Sequence, residues 1–330
     1  MTATFTSTST GEEDAKIATL LAAFPHDPSL APLVFIPRFR QRLSILSAWS
    51  IPPGSRVLDI GCGQGDSSLV LALELGPDCH VTGIDTAPPS YGTPLTVSES
   101  QSKILQSVEL GSRLAFYNET DAAGFFSFHK GVKLDAATAC HSLFYFPSQL
   151  AVACLFRELA GQNIKRVYVA EYDQQDLTFP VTQTPHVLTA KAQAMYFAYK
   201  AEADEIRRSS SSSVDDPEKK EEMMPLNVRA APSIASIISA AKEAGYGLTK
   251  KGKFTPKEEY QEGHFEARYV KGERFVKRVR EEGRLTRERE EEILAVVEEV
   301  RRAWEVMERE GGVDVVRCMD VWWGVFELEE

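Results

Sequence analysis

The stretch that most constrains this 330-residue chain is an apolar run that stops abruptly at closely spaced glycines, RVLDIGCGQGD at residues 56–66. Apolar residues recur from there to Leu75, which is typical of a buried helix. The pattern therefore predicts a strand, a tight glycine turn and a helix. Because glycine has no Cβ, the backbone N–H groups of such a turn and the positive end of the helix dipole can approach a ligand closely.

A second strand predicted downstream ends at a carboxylate. Asp85 follows the segment CHVTGI at 79–84 and lies twenty residues after Gly65. A carboxylate at that position can accept hydrogen bonds from both hydroxyls of a ribose. Dinucleotide binding would require G-x-G-x-x-G, whereas here Asp66 occupies the place of the last glycine. The two stretches predict a site for a nucleoside-bearing ligand and do not favour NAD.

The segments VLDIGCGQG and VTGID resemble the first and second motifs of the class I S-adenosylmethionine-dependent methyltransferases. The resemblance covers residues 56–170 well and the remainder only through the order of elements. It implies S-adenosylmethionine as cofactor and S-adenosylhomocysteine as product. It also implies that Asp59 orients the glycine loop and the cofactor's amino group, and that Asp85, with Thr86 beside it, holds the ribose. The loop residues that would pass under the methionine part are Gly61, Cys62, Gly63 and Gly65.

The adenine position is less sharply defined by the sequence. A third predicted strand at 113–117 is followed by Asn118, Glu119, Thr120, Asp121 and Ala122. In the family an acidic or amide residue at this point binds the adenine amino group. Asp121 before Ala122 fits best, and Asn118 and Glu119 remain alternatives.

The reaction site is expected where the fourth and fifth predicted strands end, because ligands of doubly wound sheets bind at the carboxyl ends of the strands. His141 follows the fourth strand, and Glu171 and Tyr172 follow the fifth. His141 can serve as a general base, since the ordinary pKa of histidine is near neutral. Alternatively it only shapes the cofactor pocket, because methyl transfer depends mainly on aligning nucleophile, methyl carbon and sulfur. Glu171 and Tyr172 either bind a polar or cationic group of the substrate or simply end a solvated strand.

The resemblance implies an α/β fold, a Rossmann-like seven-stranded doubly wound sheet of order 3-2-1-4-5-7-6 with the last strand antiparallel. We predict a disordered tail at 1–11, two cap helices at 12–54, and a methyltransferase core at 55–330 with helical insertions at 176–224 and 256–310. The cap helices either cover the mouth of the site or pack on the sheet. The run at 313–328 has strong β propensity and predicts the last strand.

Both insertions contain amphipathic helices. The first, from 184 to about 208, is predicted either to form a lid over an apolar substrate or to pack in the core. In the second, charged helices are predicted at 264–282 and 286–309. The apolar stripe of the latter is more compatible with packing on its own chain than with a coiled coil. The face of the first helix that would form the lid carries Leu188, Ala192, Met195, Tyr196 and Tyr199.

Composition limits the remaining function classes. The net charge of −11 disfavours nucleic acid as a partner, because phosphate binding depends on Lys and Arg. No apolar run reaches the roughly 20 residues needed to span a membrane. The five cysteines are odd in number and contain no C-x-x-C, which indicates neither a disulfide framework nor a metal site and favours the cytoplasm. The sequence leaves the oligomeric state open, a homodimer included.

The sequence therefore predicts a methyltransferase that moves a methyl group from S-adenosylmethionine to an O, N, S or C nucleophile of a small apolar or aromatic molecule. In overall style it resembles methyltransferases of fungal specialised metabolism. The alternative is a protein that binds S-adenosylmethionine without transferring the methyl group, either a cofactor-assisted cyclase or a regulatory partner.

Overall fold

The computed structural model describes residues 10–92, 95–174, 180–210, 228–229 and 231–329. They form one seven-stranded sheet of order β3-β2-β1-β4-β5-β7-β6, so the predicted fold class and strand order are confirmed. Strands β1 to β5 are mutually parallel, and β7 is antiparallel to both β5 and β6. The strands are β1 Arg56–Ile60, β2 His80–Ile84, β3 Leu114–Tyr117, β4 Ala136–Cys140, β5 Arg166–Tyr172, β6 Tyr246–Phe254 and β7 Val321–Leu328.

Helices cover both faces of the sheet, which is why β1 is an almost continuous apolar run with only Arg56 exposed. One apolar cluster contains residues of α1, α2 and α3, and the cluster on the other face contains residues of α5, α6 and α8. The helices of the described residues are α1 Thr10–Ala23, α2 Ile36–Trp49, α3 Asp66–Glu74, α4 Val97–Leu105, α5 Ala122–Phe128, α6 Gln149–Gly161, α7 Thr184–Ser210, α8 Ile234–Glu243, α9 Glu262–Val270, α10 Glu273–Glu281 and α11 Arg287–Val306.

The second N-terminal helix, α2, packs on the sheet, which is one of the two roles that the sequence left open. At its C-terminal end Trp49 donates from Nε1 to the carbonyl of Val169 on β5, at 3.3 Å. Towards its N-terminal end Arg38 contacts Glu262 and Arg42 contacts Asp66. The other role, covering the mouth of the site, stays a prediction. The first helix begins at Thr10, so residues 10–11 are helical and do not belong to the predicted tail. Residues 1–9 lie outside the described part.

Two predicted boundaries in the chain were wrong. The predicted helix at 264–282 is two helices, because Gly272 adopts an extended conformation between α9 and α10. Residues 313–320 do not extend β7, because their backbone bonds elsewhere: the N–H of Arg317 donates to Thr182 O at 2.8 Å and that of Met319 to His186 Nδ1 at 3.0 Å.

The apolar stripe predicted to line a lid on α7 faces away from the sheet. Ala192 and Tyr196 are buried with Phe275, Ile293 and Val297 of α10 and α11, and Leu188, Met195 and Tyr199 pack against the same cluster. The packing interpretation of this stripe is therefore correct, and so is the one for α11, whose stripe packs inside its own chain. Residues 211–227 lie outside the described part. They include most of the serine run at 209–213 and the end of the first insertion. No helix in the described ranges is long and apolar enough to cross a membrane.

Candidate active site

The glycine loop connects β1 to α3 and lies against the turn that follows β4. Gly61, Gly63 and Gly65 have φ values of 68°, 50° and 91°, a left-handed conformation that favours glycine. A Cβ at Gly61 would lie 2.6 Å from Ser142 Cβ. At Gly63, by contrast, no described atom lies within 4 Å of an added Cβ, so this face of the loop is open to a ligand. The buried Cys62 holds the loop through its N–H, which donates to Ile84 O at 3.1 Å.

Replacing Gly61 with Ala is expected to destabilise the protein more than replacing Gly76 with Ala. Both glycines have positive φ, 68° and 84°, so both substitutions carry backbone strain. Only at Gly61 does the new methyl group meet a neighbour, because within the described residues nothing lies within 4 Å of a Cβ at Gly76. Overpacking of this kind costs about 1–3 kcal/mol. Urea denaturation of both variants measures the difference, and equal losses of stability would contradict the contact with Ser142.

Asp59 lies in β1, just before the glycine loop. It is fully buried in β1 and accepts hydrogen bonds from Ser67 and Ser68 of α3, both at 2.6 Å, and from Thr138 of β4, at 2.9 Å. Burial raises the pKa of its carboxyl group, and the three hydroxyl donors oppose that rise. Asp59 thus joins β1, β4 and the start of α3. Its role in orienting the loop and the cofactor's amino group stays a prediction.

Asp85 joins the loop to the second strand. Its Oδ2 accepts from Gly63 N and its Oδ1 from Ala87 N, both at 2.7 Å. A carboxylate has about four lone-pair positions, so two remain for the hydroxyl groups of a ribose. The next residue, Thr86, is exposed.

The adenine candidates differ in what they already bind. Asp121 caps α5, its Oδ1 accepting from Gly124 N at 2.8 Å, and the side chain of Ala122 is buried in the apolar cluster. Asn118 exchanges two hydrogen bonds with Gln101, at 2.8 and 3.1 Å, and Gln101 also donates to Gly63 O at 2.9 Å. Glu119 has a positive φ of 56°. Sequence reasoning missed Gln101, because a glutamine inside an amphipathic helix carries no signal of a loop contact.

His141 follows β4 directly and adopts a left-handed conformation with φ 52°, a strained geometry for a residue other than glycine. Its N–H donates to Ala170 O at 2.8 Å, and its ring centroid lies 4.4 Å from that of Tyr172. The ring is buried, and neither ring nitrogen has a hydrogen-bond partner among the described residues. Burial and then the charge of Arg42 hold the pKa of His141 well below its ordinary value, so the imidazole is neutral.

Glu171 and Tyr172 end β5 beside His141. Glu171 is fully buried; its Oε1 accepts from Leu143 N at 2.8 Å, while its Oε2 has no partner within the described part of the chain. Burial raises the pKa of Glu171 to about 8, although backbone N–H donors oppose the rise, so the carboxyl group is mainly protonated at neutral pH. The hydroxyl of Tyr172 lies 3.3 Å from that of Tyr260.

A chain of polar contacts continues from Tyr260 to the cap helix. Tyr260 donates to Glu262 Oε2 at 2.6 Å, and Arg38 Nε donates to Glu262 Oε1, also at 2.6 Å. Burial would raise the pKa of Glu262, but Arg38 and Arg42 lower it to about 2. The carboxylate is therefore ionised, and it ties the cap helix to the insertion helix α9.

Arg42 is a second functional candidate that the sequence did not reveal. Its Nε lies 3.2 Å from Asp66 Oδ2 at the start of α3, while its buried Nη1 finds no partner among the residues described. A buried guanidinium N–H suits a carboxylate, and the methionine part of S-adenosylmethionine carries one. The open glycine loop, the spare acceptors of Asp85 and this donor together fit the cofactor.

In the described ranges, no three His, Cys, Asp or Glu side chains are grouped so that they could hold a metal ion.

Comparisons with known proteins agree with this geometry. A family described as "Methyltransferase domain" matches residues 51–90. The proteins named methyltransferase phomM' and methyltransferase phomM, both from Diaporthe leptostromiformis, are 39% and 38% identical, and each alignment covers 97% of this chain and 91% of the relative. A cyclopropane-fatty-acyl-phospholipid synthase-like protein from Lactobacillus casei ATCC 334 has the same fold, with a TM-score of 0.69 at 23% identity over 96% of this chain and 99% of that one.

The sheet order, the glycine loop and these matches define a class I S-adenosylmethionine-dependent methyltransferase. Within that class, the chain belongs to the family of the two Diaporthe methyltransferases. The cofactor predicted from the sequence is thereby supported.

Proposed function

We propose that this methyltransferase transfers a methyl group to an O, N, S or C nucleophile of a small molecule, at the carboxyl ends of β4 and β5. The contact between Gly61 and Ser142 carries the proposal. It brings the turn that contains His141 directly against the loop that would hold the cofactor. A nucleophile that approached there would meet polar atoms of His141 and Glu171 that have no hydrogen-bond partner among the described residues.

The residues around the loop would bind and orient the cofactor. Gly61, Cys62, Gly63 and Gly65 would lie under its methionine part, and Arg42 would pair with the carboxylate. Asp85, with Thr86 beside it, would hold the ribose, while Asp121 and the backbone of Ala122 would meet the adenine. The cofactor itself supplies a methyl group that is already activated by its sulfonium. Alignment is therefore the main task of the protein.

His141 and Glu171 would act on the nucleophile. A neutral imidazole can accept the proton that a hydroxyl, thiol or ammonium group loses on methylation. A protonated Glu171 can donate a hydrogen bond from Oε2 to a polar group of the substrate. Tyr172 would be a positioning residue, because its ring packs against that of His141. The alternative, in which His141 only shapes the pocket, predicts that its replacement affects binding more than turnover.

Calorimetry and a product assay test the proposal. The purified protein should bind S-adenosylhomocysteine. With S-adenosylmethionine and a panel of phenols, thiols and amines, it should then release S-adenosylhomocysteine with at least one acceptor. If the protein binds S-adenosylhomocysteine but produces none from S-adenosylmethionine with every acceptor tested, the result supports the other candidate, a cofactor-binding protein that does not methylate.

The pH dependence of that release gives a sharper test of His141. Because burial and Arg42 hold the pKa of His141 well below 6.5, we expect the turnover number to show no histidine ionisation near that pH. The assay is run with saturating cofactor between pH 5.5 and 8. A fall to half the maximum near pH 6.5 that disappears in His141→Asn would contradict the geometry described above.

A further inference from the structure

The face of α7 that meets the methyltransferase core is polar. Its buried side chains His186, Thr189 and Gln193 are at most 1% exposed. The ring of His186 lies 5.1 Å from that of Tyr172, and Ala190 belongs to the apolar cluster that contains Tyr172. Positions 186, 190 and 193 follow helical spacing, so they share one face. This face of the helix is therefore unlike the apolar stripe from which the sequence suggested a lid.

Two of these side chains present atoms with no partner in the described part of the protein: Thr189 Oγ1 and Gln193 Nε2. His186 differs, because its Nδ1 accepts from Met319 N at 3.0 Å and its Nε2 lies 3.3 Å from Glu266 Oε2. Gln193 Oε1 accepts from Val228 N at 3.4 Å, which fixes the amide with Nε2 pointing away from Val228. Leaving a buried polar group without a hydrogen bond is unfavourable, so two of them one turn apart indicate a partner outside the described residues.

The unpartnered atoms of α7 belong to a larger set around the reaction site. Some buried atoms that lack a hydrogen-bond partner among the described residues are on side chains held in ion pairs: Arg40, Glu74, Glu282 and Arg317. The others lie on α2, on the turn after β4, at the end of β5 and on α7: Gln41, Arg42, His141, Ser142, Glu171, Thr189 and Gln193. Among these, Arg42 is also ion-paired, through its Nε with Asp66. The rings of His141, Tyr172 and His186 are in successive contact and connect the turn after β4 to α7.

We propose that Thr189 and Gln193 bind a carboxamide group of the methyl acceptor. The Nε2 of Gln193 donates to the carbonyl oxygen, and Thr189 Oγ1 accepts from the amide N–H. With a helical rise of 1.5 Å per residue, the two positions lie roughly 4.5 and 10 Å along α7 from His186. The recognised group is therefore remote from the reacting atom. This inference rests on the proposed function, and it adds an amide to the small apolar or aromatic acceptor that the sequence predicts.

A near-isosteric pair of phenols tests the amide preference. One phenol, 4-hydroxyphenylacetamide, carries an amide. The other, 4-isobutylphenol, carries a branched alkyl group of the same shape in its place. Calorimetry on protein saturated with S-adenosylhomocysteine should give a dissociation constant at least about tenfold lower for the amide, because a site built to hydrogen-bond rejects analogues that cannot. Thr189→Val and Gln193→Met, which keep the volume, should reduce this preference to less than about threefold. Tyr199→Phe, at a side chain that packs against the cluster of α10 and α11, should leave it unchanged.

Measurements without an acceptor separate the inference from the proposed function. Both variants should bind S-adenosylhomocysteine like the wild type and should melt at the same or a higher temperature, because they remove polar atoms that lack a protein partner. A melting temperature lower by 5 °C or more would assign these atoms a structural role and overturn the inference. The inference would also be overturned if the wild type showed no preference for the amide, or if neither phenol bound. Failure of S-adenosylhomocysteine to bind the wild type would instead overturn the proposed function.

Discussion

Replacing Asp85 with Ala is expected to weaken the binding of S-adenosylhomocysteine by about 1.5–3 kcal/mol, which is roughly 10- to 150-fold in the dissociation constant. Hydrogen bonds to a charged acceptor are the strong ones, and this carboxylate would accept them from the ribose hydroxyls. The same substitution removes the acceptors of Gly63 N and Ala87 N, each held at 2.7 Å. Calorimetry with the purified protein measures the change.

Asp78→Ala is the matched control for Asp85. Asp78 also lies next to β2, but it is exposed and at the amino end of that strand, away from the glycine loop. Its replacement should leave the dissociation constant within about twofold, because surface substitutions away from a site change little. Asp85→Asn should fall between wild type and Asp85→Ala, since the amide keeps one acceptor oxygen without the charge. Equal affinities of all three variants would mean that the ribose lies elsewhere.

The parts of the site that could be predicted from sequence are those in which one residue type meets a local requirement. Gly61 and Gly63 are required by their positive φ, and Asp85 follows from its distance behind the loop. Arg42 and Gln101 gave no such signal. Each lies within an amphipathic helix, and its role depends on which element packs opposite it, which is a tertiary fact.

The orientation of α7 could not be predicted for a related reason. The helix has buried residues on two faces, and helical spacing identifies both without indicating which one meets the sheet. Packing of α10 and α11 against Ala192 and Tyr196 decides it, and leaves His186 and Ala190 towards the core. Strand β7 shows the same limit, because β propensity extends from 313, whereas pairing with β5 begins only at Val321.

The free energy of unfolding of the wild type is expected to fall as pH rises from about 5 to about 8. The Glu171→Gln variant should show a smaller fall over the same range. In the folded state burial raises the pKa of Glu171 to about 8, whereas its ordinary value is 4.5. Between these values the unfolded chain loses the proton and the folded protein keeps it. The folded state therefore binds more protons, and the free energy of unfolding decreases with pH.

The size and the control of this effect follow from the same linkage. The loss is up to about 1.4 kcal/mol per pH unit, or up to about 4 kcal/mol from pH 5 to pH 8, and it ends above the folded-state pKa. Gln at position 171 keeps an oxygen that can accept from Leu143 N but cannot ionise, so urea denaturation of this variant should show a flatter pH profile. Glu109→Gln, at an exposed position, should follow the wild type. Parallel profiles for the wild type and Glu171→Gln would mean that Glu171 is ionised when folded, and it could not then donate a hydrogen bond to the acceptor.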